Sequence, residues 1–236
     1  MVYVALLVVA GCATEGPLGT DEDLPAKVVR LKGGVRWSSD DGKTWREVKL
    51  GNKLRPGNLV QTASDSYIDV RLGELTTEAE YDFDPTPSPV QIHMPSSTGL
   101  PRRNDPEPAK PLFRGRVPGR IMRLWANSQV SLDRLTMRLA RGGARIAEDL
   151  KFDLRAGHVV IYIGKSAGDT QCEIKFPKGL VCISRGMYDV HAEGVVLVRS
   201  GKALVTWPGS PSPQIVLGLQ MFDVRTGVLS VTQALD

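Results

Sequence analysis

The residues with the most to offer chemically fall in three places. Ser38, Asp40, Gly42, Thr44 and Trp45 form an S-x-D-x-G-x-T-W run. In such a run the Asp carboxylate caps a turn, the Gly accepts a positive φ and the Trp packs behind. Asp189, His191 and Glu193 alternate, so a strand would place all three on one face, where a metal ion takes such ligands. Alternation alone also produces a polar strand face, and no metal is expected. Cys172 and Cys182 lack the second cysteine pair that a zinc site needs. His93, His158 and His191 are the only histidines, and no G-x-S-x-G, H-E-x-x-H or phosphate-loop pattern occurs. The sequence therefore predicts no catalytic residue, no cofactor and no enzyme.

The run from Ser38 to Trp45 is similar to the Asp-box of sialidases and related β-propellers. Those proteins need several copies, one per blade. One copy in 236 residues cannot build a propeller, so the motif predicts one stable hairpin turn around Asp41-Gly42.

The elements that must carry these residues read as short strands with turn punctuation. Val28, Val29 and Leu31 precede a Gly33-Gly34 break, and Val35 and Trp37 follow it. Trp45 and Glu47 share one face, Arg46 and Val48 the other. Ile68, Val70 and Leu72 alternate with Tyr67, Asp69 and Arg71. Three segments, "LRPGNLV", "LRAGHVV" and "VLGLQMF", each put a turn between two apolar ends, which predicts a recurring hairpin. Residues 132–141 fit either a helix, with Leu132, Leu135 and Leu139 on one face, or a strand. A helix there would line up Arg134, Arg138, Arg141 and Arg145. Nine prolines between Pro85 and Pro118 mark residues 74–119 as an irregular insertion rather than core. Plentiful Gly (24) and Pro (16) suit many turns. The fold class is all-β, an antiparallel β-sandwich or roll of many short strands with a Pro-rich loop insertion.

Residues 2–10, "VYVALLVVA", are an uninterrupted apolar run ending at Gly11-Cys12. Nine residues are too few to span a membrane but suit the apolar region of a signal peptide. Val9-Ala10-Gly11-Cys12 resembles a bacterial lipobox, which implies lipidation of Cys12 and a membrane anchor. Residues 1–12 are then signal peptide and lipobox, 13–26 a flexible tether, and 27–236 the β-domain. Localisation is the bacterial cell envelope, facing the periplasm. That compartment permits a disulfide between Cys172 and Cys182, brought opposite one another by a turn about Pro177; the other reading is two buried thiols acting as small apolar side chains. A net charge of +4 is too small to argue for nucleic acid.

The order of segments resembles the FecR domain family. The first match carries Gly34, Val35, Gly51, Leu54, Gly57, Asn58, Val60, Thr62, Ser66 and Gly73, with Asn58 where the family has Asp. The second is "FDLRAGHVVIYIGK", around Gly157. The third carries Pro177, Gly179, Arg185, Gly186, Tyr188, Val190, Val196, Val198, Gly201 and Val205. The resemblance covers about residues 27–73 and 120–228. It implies an exported, non-catalytic β-domain that senses or scaffolds in the envelope by binding a protein partner or ligand. Gly34, Gly57, Gly157, Gly186 and Gly201 read as architecture. Arg185, between apolar strands, predicts a salt bridge to Asp153, Asp189 or Glu193, or contact with an anionic ligand. A second reading is a module for carbohydrate or surface polymer, stacking its ligand on Trp37, Trp45 or Trp125.

Overall fold

The computed structural model describes residues 20–73, 119–140, 143, 145–164 and 169–232. The apolar N-terminal run with Cys12, and the Pro-rich insertion through residue 118 with His93, lie outside the described residues. Nineteen strands and no helix occur among the described residues. The first seven are β1 (Thr20–Asp23), β2 (Ala26–Lys32), β3 (Val35–Ser38), β4 (Arg46–Glu47), β5 (Lys53–Leu54), β6 (Leu59–Thr62) and β7 (Tyr67–Leu72). The middle set is β8 (Arg120–Leu124), β9 (Gln129–Leu139), β10 (Arg145–Ala156), β11 (His158–Ile163), β12 (Asp169–Phe176) and β13 (Gly179–Ile183). The last are β14 (Gly186–His191), β15 (Val195–Ser200), β16 (Lys202–Thr206), β17 (Gln214–Leu217), β18 (Gln220–Asp223) and β19 (Val228–Val231).

They form two sheets. The first has the order β17-β16-β13-β12-β10-β9-β6-β3-β4, with β1 also paired to β9. The second has the order β19-β18-β15-β14-β11-β8-β7-β2-β5. Both orders run broadly with the chain, so the molecule grows from one end of a sandwich to the other. The central strands alternate an inward apolar residue with an outward one, as in Leu150, Phe152 and Leu154 of β10 against Val130, Leu132 and Leu135 of β9. The inward residues of both sheets make one contiguous core.

The three Gly-containing echoes are not hairpins. "LRPGNLV" carries the chain from β5 in the second sheet to β6 in the first. "LRAGHVV" carries it from β10 in the first to β11 in the second, and "VLGLQMF" from β17 to β18. A hairpin would leave both apolar ends in one sheet. An arch lets them face each other across the core, which buries Leu54 and Val60 at one crossing and Leu154 and Val159 at another. The arch at β10 also explains the parallel β10–β12 pair: the chain crosses to β11, reverses, and returns in its original direction.

Several expectations are corrected. The tether does not run to residue 26, because Thr20–Asp23 pairs with β9 and Leu24 and Ala26 are buried. Of the two readings left open for residues 132–141, the strand is the one observed over 132–139, since β9 lies between β6 and β10 and must supply a ladder to both. Cys172 and Cys182 are unbonded. Their turn has two residues, Pro177-Lys178, so Phe176 faces Gly179 and Cys172 faces Ile183, while Cys182 faces Glu173. That one-residue shift from the expected register turns Cys172 into the core and Cys182 to the outer face. Arg185 is exposed in the β13–β14 connection and forms no ion pair with a described residue. The buried arginines are Arg120 and Arg123. Arg120 of β8 pairs with Glu148 of β10, joining the two sheets, and Thr170 donates to the same carboxylate at 2.8 Å. Arg123 makes a two-pronged pair with Asp69 at 2.6 and 2.7 Å.

Gly57 and Gly157 both take positive φ, 84° and 71°, but their surroundings differ. A Cβ on Gly57 would meet nothing within 4 Å, whereas one on Gly157 would sit 2.3 Å from Ser128 Oγ and 2.6 Å from the Asn127 carbonyl. Gly57→Ala should cost about 1–2 kcal/mol, the penalty for a left-handed L-residue. Gly157→Ala should cost clearly more by urea denaturation; equal costs would show that the β10–β11 arch is looser than drawn.

Candidate binding groove

The loop from Ser39 to Trp45 joins β3 to β4 and is held by its own polar side chains. Ser38 Oγ donates to Asp40 Oδ1 at 2.6 Å and accepts the Gly42 N–H at 2.9 Å. Asp40 Oδ1 also accepts the Thr44 N–H at 2.8 Å, and Thr44 Oγ1 donates to Asp40 Oδ2. Hydrogen bonds from Ser38 and Thr44 hold the Asp40 carboxyl well below the usual carboxylate range. Asp41 and Gly42 take φ of 54° and 88°. Trp45 packs against Gly42, as the spacing predicts. Arg155 at the end of β10 ties the loop down through Asp41 at 2.7 Å.

That loop does more than turn the chain. It folds over the outer face of the first sheet and covers Leu59, which alternation points away from the core and which is nevertheless only 2% exposed. Beside it lies an open groove of about 670 Å³, within the range of ligand sites. Its floor is one transverse row of the sheet. Glu47, Arg36, Gln61, Gln129 and Ala156 stand side by side on β4, β3, β6, β9 and β10. Trp45 forms one wall and Asn127 borders the far end. The Arg36 guanidinium lies 4.5 Å over the Trp45 ring, and its Nε donates to Gln61 Oε1 at 2.9 Å.

The predicted ligand contacts are dispersed. Trp37, Trp45, Trp125 and Trp207 are all half-buried, so the aromatic platform remains available. Trp37 faces inward against the core, with Arg46 5.6 Å from its ring. Trp125 sits on the second sheet in a stack with His158 (5.9 Å) and His191 (4.6 Å from His158), beside Arg123 at 4.9 Å. Burial pushes His158 down. At His191 burial also opposes charge, but the Asp189 carboxylate 3.3 Å away outweighs it and raises the pKa. Glu193 lies in the following turn, off the strand, so the predicted Asp-His-Glu face is not assembled. No metal-ligating cluster occurs among the described residues.

The FecR-like motif residues form a knot rather than a site. The Tyr188 hydroxyl lies 3.0 Å from the Arg185 carbonyl and 3.1 Å from that of Lys202, and it accepts the Lys202 N–H at 3.2 Å. A Cβ on Gly186 or Gly201 would fall within 2.6 Å of that hydroxyl, so both positions require glycine for close approach. Asn58 does the work expected of an Asp: its Oδ1 accepts the Arg55 N–H at 2.9 Å across the Pro56-Gly57 turn. Gly34 accepts the Ala63 N–H at 2.9 Å.

No family model matches the chain, and no curated protein matches it. Among solved structures, two crystal structures of a "putative anti-sigma factor" from Parabacteroides distasonis ATCC 8503 are similar, at 17% and 16% identity and TM-scores of 0.34 and 0.33. Each match covers 51% of this chain and 55% of that one, so the chain spans about half the length of the solved chains it matches.

Gln61, Gln129 and Arg36 were not singled out in the sequence. Only the strand parity that aligns them could have signalled them, and parity does not give register between distant strands. Asp40→Ala removes the acceptor for Thr44 and should bring its amide to the hydrogen-exchange rate of an unprotected turn. The wild-type protection should persist from neutral pH down past 3.8, the ordinary Asp value, because the folded carboxyl titrates below it. Unchanged Thr44 exchange in the variant would mean that the carboxylate does not hold the loop.

Proposed function

We propose that this chain is a non-catalytic, FecR-like domain of the bacterial cell envelope, anchored through lipidated Cys12, that senses or scaffolds by docking a protein partner. The observation that carries the reading is the difference between the two ends of the sandwich. At one end the edge strands β4 and β5 have two residues each and carry Arg46, Glu47 and Lys53, which blunt them against pairing. At the other end β17 (QIVL) and β19 (VLSV) have four residues each and no charge. Ile215, Leu217, Val228 and Leu229 are exposed there, and Val231 is 74% exposed. An uncharged apolar edge on both sheets is a template for an added strand. The occupant we assign is an extended segment of another envelope protein. The FecR-like motifs and the Val9-Ala10-Gly11-Cys12 sequence support the compartment.

A photoreactive residue at Leu217 tests this in the producing cell's envelope, with Leu50 at the opposite end as control. The expected result is one discrete adduct to a different protein from Leu217 only, lost when Ile215→Lys is added. Equal adducts from both positions, no adduct, or only adducts to a second copy of this chain would overturn the reading.

A further inference from the structure

We propose that the groove on the outer face of the first sheet binds a strand of acidic polysaccharide. The proposal rests on reading the chain as an envelope binding domain, and it names a ligand for a surface distinct from the β17/β19 end.

The groove floor is a row of polar side chains set one per strand, about 4.8 Å apart. Arg36 is fixed twice, by its hydrogen bond to Gln61 and by the Trp45 ring beneath it. Its Nη groups make no hydrogen bond to a described residue. They present an exposed, planar fork whose geometry matches a carboxylate. Gln61 spends its oxygen on Arg36 and keeps its amide N–H groups. Gln129 stands next in the row, and its side-chain amide makes no hydrogen bond to a described residue. Planar amides with both donor and acceptor suit adjacent sugar hydroxyls, and the half-buried Trp45 offers an apolar ring edge to a pyranose. The small residues Gly34, Ala63 and Ala156 leave the floor open.

Other polymers fit less well. β3, β6 and β9 are each hydrogen-bonded on both sides, so a peptide lying across them finds no backbone partners. Arg36 and Arg46 stand against Glu47, too little positive charge for a nucleic-acid backbone but enough for a polymer with one carboxylate per sugar.

Calorimetric titration of the whole chain with an oligomannuronate hexamer tests the proposal, alongside its carboxyl-reduced counterpart and polyglutamate. Oligomannuronate should bind saturably. Arg36→Gln should weaken it by about tenfold or more, the scale of a lost charge-assisted hydrogen bond. Arg36→Lys should not restore it, because a point charge cannot fork. Gln129→Ala should weaken binding with an unchanged melting temperature. The reduced sugar should bind more weakly and be indifferent to Arg36→Gln, and polyglutamate should not bind. Absence of oligomannuronate binding, equal binding of either control polymer, or affinity unchanged by Arg36→Gln and Gln129→Ala would each overturn it. Crosslinking from Leu217 is independent of all these outcomes, so a failed groove and a failed envelope reading are told apart.

Discussion

The interior of this domain is a single apolar layer that neither sheet can cover alone, and the chain meets that constraint by changing sheets after nearly every strand pair. β9 and β10 hand over to β11, β12 and β13 to β14, β14 and β15 to β16, β16 and β17 to β18. Each crossing puts the next inward face opposite the last, so burial proceeds in chain order along the sandwich. The arches need backbone that turns sharply without losing hydrogen bonds. Gly57 donates to the Leu132 carbonyl at 2.7 Å, and the Ala192 N–H reaches the Gly157 carbonyl at 2.9 Å, so each crossing is also tied to a neighbouring strand. A structure built in this way has two ends and two outer faces.

The polar interior contacts follow from the same geometry. Arg120 opens β8, directly beside the end of β7, and reaches Glu148 in the opposite sheet. Tyr188 plays the corresponding part at the β13–β14 and β15–β16 crossings, where its hydroxyl satisfies backbone groups from both. In each place a polar group is buried because chain crossings leave backbone or charge that would otherwise lack a partner.

The all-β class, the Ser38–Trp45 turn and the facing of Trp45 with Glu47 were legible in the sequence because they depend on local alternation and turn chemistry. The crossings were not. "LRAGHVV" contains the same residues whether its strands pair with each other or face each other across a core; the difference lies in contacts distant in sequence, such as His158 N–H to Ser128 Oγ at 2.9 Å, 30 residues apart. Cys172 and Cys182 show how thin the margin is, since one residue in a turn decides whether two thiols share a face. Arg185 misled for a related reason. Its apolar neighbours belong to different sheets, and Arg185 sits where the chain passes between them in solvent. The groove was the least legible feature, because Arg36, Gln61 and Gln129 are separated by 25 and 68 residues and meet only through register.

The loop at Asp40 links these scales. Its hydrogen bonds are local, yet they place Trp45 over Arg36 and cover Leu59, and so turn a flat sheet face into a walled groove. The most direct measurement of that central claim is NMR mapping of the side-chain amides of Gln61 and Gln129 and the Trp45 indole during titration with oligomannuronate. The account predicts that these three signals move together while the Leu217 and Val231 methyl signals stay still. Movement confined to other residues, or none at saturating sugar, would contradict it.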